Sequence, residues 1–150
     1  MKKIILALLS ILSILLGFYQ FKLKPDQLKE QLRERAALYW DSVRIHDFLT
    51  LYSMETAKVQ GLMQPHQVQK RTNFDVRLVS FDLGAIKILD SSSAEIDMHG
   101  QYTMMEFEGK TYDGGITKDR WTLIDGQWYH GDPKDPAQKA TAPKGPSLLK

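Results

Sequence analysis

Few residues of this chain have both the type and the spacing that chemistry needs. His46 is followed directly by Asp47, the composition of a general base with an orienting carboxylate. Sequence neighbours do not face one another on a helix, so the pair reads as a helix break and cap. His99 shares a strand parity with Glu95 and Asp97, a spacing able to make a shallow metal site. One imidazole and two carboxylates on an exposed strand face read instead as its solvated side. Ser91, Ser92 and Ser93 have no nucleophile-elbow glycines around them and read as a loop. Tyr112-Asp113-Gly114-Gly115 reads as a turn or bulge, because a phosphate-binding loop would lead into a helix. His66 and His130 fall in loops without an evident partner. No catalytic residue, metal site or cofactor is therefore assigned.

The aromatic residues are the larger set. Tyr39, Trp40, Tyr52, Phe81, Tyr102, Trp121 and Trp128 are rings, most with a polar tip, of the kind that lines a pocket for an apolar ligand or fills a core. Met98, Met104 and Met105 supply adaptable packing in either case.

The elements that must position these residues follow from periodicity. Lys24-Pro25-Asp26 opens a helix, with Pro tolerated in the first turn and Asp26 at the positive end of the dipole. Leu28, Leu32, Ala36, Tyr39 or Trp40, and Val43 then recur at helical spacing, while Lys29, Glu30, Arg33, Glu34 and Arg35 turn elsewhere. The helix breaks near Ile45-His46, and Asp47 caps a second one carrying Phe48, Leu49, Leu51 and Tyr52. A third short piece is expected from Pro65 to Arg71. Beyond Asn73 the period becomes two. Phe74, Val76 and Leu78 alternate, Val79 to Ala85 continue on the other parity, and Ile86 and Ile88 come after Gly84, so a bulged strand or two short strands are expected. Ala94, Ile96, Met98, Gly100, Tyr102 and Met104 form one face of the next strand. Ile116 to Ile124 then turns at Asp125-Gly126, a hairpin signal because both turn positions need positive φ, and returns through Gln127, Trp128 and Tyr129. Helices first and an antiparallel meander after them predict an α+β fold with the helices on one sheet face.

At the N-terminus, Ile4 to Phe21 carries no charged residue. As a helix it rises about 27 Å, close to the hydrocarbon thickness of a bilayer. Lys2 and Lys3 also suit a cleaved signal peptide, but the run leaves through Phe18, Tyr19, Gln20, Phe21 and Lys22 without the small residues cleavage requires. Residues 1–24 are accordingly expected to be an uncleaved anchor in the lipid bilayer. With only three residues ahead of the span, the body is expected outside the cytoplasmic membrane, periplasmic if the source is a bacterium with an outer membrane. The tail, 133–150, is Pro- and Lys-rich and too poor in apolar residues to order itself.

The remaining 25–132 allow one domain with one modest core. A net charge of +2 over 150 residues, mixed in sign, does not suggest a nucleic-acid surface. The absence of cysteine excludes disulfides and thiolate chemistry.

Arg35-Ala36-Ala37-Leu38-Tyr39-Trp40-Asp41, His46-Asp47-Phe48, Leu51-Tyr52 and Arg120-Trp121-Thr122-Leu123-Ile124-Asp125-Gly126-Gln127-Trp128-Tyr129 together resemble the nuclear-transport-factor-2-like (SnoaL-like) superfamily. The resemblance covers about Gln27 to Asp132. It implies a curved antiparallel sheet closed by helices into a cone with an internal pocket, which the seven rings above either line or fill as core. No aspartate falls at a position matching the acid that isomerase members pair with a tyrosine. The function expected is a membrane-tethered, non-enzymatic interaction or assembly domain with an envelope protein or a second copy as partner. The alternatives are a domain binding a small apolar ligand, and an isomerase or dehydratase using an acid or His with Tyr.

Overall fold

The computed structural model describes residues 24–71, 75–107 and 109–133. Ile4–Phe21 and most of the tail lie outside them. Among the described residues no helix is long and apolar enough to cross a membrane.

Helix α1 spans Pro25–Ile45 and opens as its sequence dictates, with Pro in the first turn and Gln27 Oε1 accepting from the Lys24 backbone N–H at 3.0 Å. It ends where His46 turns left-handed at φ 62°, its N–H meeting the Ser42 and Val43 carbonyls. Asp47 caps α2, Phe48–Met54, by accepting from the Thr50 N–H at 3.1 Å and the Thr50 hydroxyl at 2.6 Å. These bonds hold its carboxyl below the usual aspartate range. A four-residue helix, α3 at Thr56–Val59, forms without a sequence signal, and α4 occupies Pro65–Arg71 as expected.

Four strands form one curled antiparallel sheet in the order β1-β2-β3-β4. Strand β1, Val76–Ile88, is continuous, and its parity switches are register shifts between Leu78 and Ser80 and between Leu83 and Ile86. Strand β2, Ser93–Met104, buries Ala94, Ile96, Met98 and Gly100 on one face. Strand β3 runs from Thr111 to Ile124, longer than periodicity predicts. Tyr112 to Gly115, expected as a turn or bulge, lies within it. The bulge there centres on Gly115 at φ +69°, whose N–H donates to Asp113 Oδ1 at 2.7 Å. Strand β4, Gln127–His130, returns through Asp125 and Gly126, at φ 49° and 79°. A side chain on Gly114 would overlap the Tyr102 ring, which lies across it and Gly100, so close approach demands glycine at both.

The α+β class and the helices on one sheet face are as the sequence implies. The core forms where α1 and α2 meet that face: Leu32, Ala36, Leu51, Met54, Ala94, Ile96, Trp121 and Trp128 are all buried. Cross-strand ion pairs occupy the opposite face. Lys118 pairs with Asp97 and Arg120 with Glu95 at 3.1 Å, and beside them the His99 ring lies within hydrogen-bond distance of Asp113 at 2.6 Å. Glu95 and Asp97 are thereby matched with cations of β3, and no metal-ligating group exists among the described residues.

Candidate functional site: a histidine between two buried carboxylates

The hairpin fixes the centre of the site. Its register places Trp121 opposite His130 and Leu123 opposite Trp128, so these four share the face turned to the helices, together with Asp119 two residues before Trp121. Past Met54 the chain makes a parallel bridge between Glu55 and His130, delivering Glu55 to the same place. From α1, Tyr39 and Trp40 face inward.

The result is a closed chain of polar contacts. His130 Nε2 lies 2.9 Å from Asp119 Oδ1, and His130 Nδ1 lies 3.2 Å from Glu55 Oε1. The Tyr39 hydroxyl donates to Glu55 Oε1 at 2.8 Å. Asp119 Oδ2 accepts from Trp40 Nε1 at 2.8 Å and from Trp121 Nε1 at 2.9 Å. The Tyr39 and His130 rings stack at 4.0 Å, and Trp40 and Trp121 meet the imidazole edge-on. The side chains of Glu55 and Asp119 are 8% and 6% exposed and that of His130 is 23% exposed.

An imidazole with a carboxylate on each nitrogen satisfies both contacts only as imidazolium, where both nitrogens donate. Burial alone would lower the His130 pKa. The Asp119 and Glu55 carboxylates, by charge and hydrogen bond, outweigh it and push the value up to about 10. One positive charge then faces two negative ones, and the phenol and two indole donors offset the excess.

The seven predicted ring residues separate into two groups. Tyr39, Trp40 and Trp121 surround His130. Trp128 belongs to the same core, with Nε1 donating to the Leu28 carbonyl at 3.0 Å, and half-buried Tyr52 packs against that core. Phe81 and Tyr102 are half-buried on the sheet and do not join it. A groove of about 290 Å³ opens elsewhere, beneath the β1–β2 turn, and Trp121 is the one ring of the seven that lines it.

The three charged residues of the cluster escaped the sequence reading. Asp119 and Trp121, and Trp128 and His130, are spaced two apart on either side of the Asp-Gly turn, and that parity is the signal that assigns them to one face. His130 was expected in a loop. Glu55 meets it across 75 positions and leaves no local pattern.

No family model matches the chain, and no curated protein matches it. Among solved structures it is similar to a SEC-C motif containing protein from Rhodopseudomonas palustris, at 14% identity, covering 72% of this chain and 75% of that one with a TM-score of 0.45. The expected membership of the nuclear-transport-factor-2-like superfamily is corrected: no family model supports it. The segments behind that resemblance are an amphipathic helix, a capped turn and a hairpin. An α+β domain of this element order needs such patterns for packing alone, so they carry no family information.

Proposed function

We propose that this chain is a non-enzymatic interaction or assembly domain, tethered by Ile4–Phe21 to the cytoplasmic membrane with its body outside. The observation that carries the non-enzymatic part is the closure of the His130 cluster. A general acid or base needs a partner atom on a substrate, and here both imidazole nitrogens already face protein carboxylates. The tyrosine hydroxyl that would assist an acid is spent on Glu55. The cluster thus reads as an ionic clasp joining α1, the Glu55 segment, β3 and β4 into a rigid platform. Support for the tether comes from the sequence: an uncharged apolar run of bilayer length lies immediately ahead of α1.

Native mass spectrometry of the full-length protein, extracted from its own membrane in mild detergent, tests this reading. An intact N-terminus and another protein or a second copy in fixed stoichiometry are expected. A processed N-terminus would overturn the tether. A small-molecule adduct on a protein without macromolecular partners would overturn the assembly role.

A further inference from the structure

The sheet order leaves β1 with one edge that no strand of the described residues occupies, and an open edge is a template for another strand. Which backbone groups face it follows from the ladder on the other side. The Met105 N–H donates to the Asp75 carbonyl at 3.0 Å and the Leu89 N–H to the Ser93 carbonyl at 2.9 Å, so the odd-numbered residues of β2 are the ones bonded to β1. Val76 and Leu78, opposite Met104 and Tyr102, therefore turn their N–H and C=O groups to the open edge. The register shift between Leu78 and Ser80 moves this phase by one residue, and beyond it Phe81 and Leu83, opposite Gly100 and Met98, turn outward instead. Arg33 marks the new phase by donating to the Leu83 carbonyl at 2.9 Å, and it closes the edge there. Among the described residues nothing else bonds to the outward groups of Val76, Leu78 and Phe81.

A strand of uniform phase cannot pair with its own copy about an axis lying between two residues, because outward groups would meet inward ones. The bulge removes that obstacle at one place. With the axis between Val79 and Ser80, Leu78 of one copy faces Phe81 of the other and Val76 faces Leu83, all four with outward backbone groups. The same register sets Arg77 opposite Asp82, an acid and a base matched twice by the symmetry. Both are exposed, as are Val79 and Ser80 between them, and within one strand Arg77 and Asp82 stand roughly 16 Å apart, too far to pair with each other. Other registers fail. An axis on Leu78 or Phe81 runs into the bulge after one pair, and an axis on Asp82 sets two carboxylates face to face.

We propose that a second copy of this chain docks along β1, the two Val76–Leu83 segments pairing antiparallel about an axis between Val79 and Ser80, with Arg77 of each copy against Asp82 of the other. This rests on the interaction role proposed above and names its partner and its surface.

Charge reversal in the full-length chain in mild detergent, with dimer dissociation read by sedimentation, tests the register. Arg77→Asp sets carboxylates opposite one another at both symmetry-related positions, and Asp82→Arg does the same with guanidinium groups. Each is expected to raise the dimer dissociation constant about tenfold. Combining Arg77→Asp with Asp82→Arg re-forms both pairs and is expected to restore it, and the separation within one chain leaves that recovery to the contact between copies. The chain has no cysteine, so Arg77→Cys combined with Asp82→Cys gives a reading independent of charge: mild oxidation should yield a covalent dimer from the combination and far less from either change alone. Weakening without recovery in the combined reversal, or no covalent dimer, overturns the register. A dimer indifferent to both reversals, or a single copy bound to a different protein in fixed stoichiometry, overturns the β1 pairing and leaves the interaction role standing. A single copy without any macromolecular partner overturns both.

Discussion

Asp119 accepts two indole N–H groups and faces the imidazolium, so Asp119→Ala strands three donors at once. Removing one partner of a buried ion pair costs about 3–5 kcal/mol, and chemical denaturation should show a loss of that size. Asp119→Asn keeps the shape but replaces a charged acceptor with an amide, and it should cost less than the alanine change while still lowering the His130 pKa. The pH dependence has a definite sign. The folded-state pKa of His130 is raised to about 10, so its contribution is complete below the unfolded value of about 6.5 and is lost as pH rises toward 10. Stability measured by denaturation across that window should fall in the native chain, and His130→Gln should flatten the slope. A native slope no steeper than that of His130→Gln would show that the imidazole is neutral in the fold.

At the scale of elements, periodicity and caps explain most of what forms. Asp47→Ala removes the α2 cap and should lower the midpoint of chemical denaturation, with Asp47→Asn recovering most of the loss. Strand β3 exposes a device that periodicity does not: Gly114→Ala pushes a methyl into the Tyr102 ring and should destabilise by about 1–3 kcal/mol. The double variant with Tyr102→Ala should lose less than the two single effects combined, because the clash disappears with the ring. Helices α1, α2 and α4, the bulged β1 and the Asp125-Gly126 hairpin were legible because each is written in neighbouring residues. The start of β3 was not legible. Two successive glycines at Gly114-Gly115 read as a turn or bulge, and the bulge is there, but inside a strand that continues on both sides and beneath the Tyr102 ring. Half of the His130 cluster was legible in principle from the parity of Asp119, Trp121, Trp128 and His130. Glu55 was not, since a contact between the end of a helix and the end of a hairpin depends on the whole tertiary arrangement.

For the whole molecule, the clasp ties the last strand to the first helix and couples the tail's point of departure to the core. Trp128 strengthens that tie, being fully buried with its indole N–H on the Leu28 carbonyl. Trp128→Ala should cost about 3–5 kcal/mol and should unfold the domain as a unit, with coincident transitions from fluorescence and circular dichroism. A first transition confined to the C-terminal hairpin would instead make β4 a separable flap. A platform of this kind suits a domain that presents surfaces to a partner more than one that must open around a substrate.

The clasp requires His130 to be charged and held between Glu55 and Asp119. Imidazole nitrogen chemical shifts of the full-length protein, followed by NMR through a pH titration, read that state directly. The predicted result is an imidazolium at neutral pH that titrates near 10, with both ring N–H protons slow to exchange. A titration near the ordinary histidine value of about 6.5 would contradict the clasp and return His130 to the group of residues available for proton transfer.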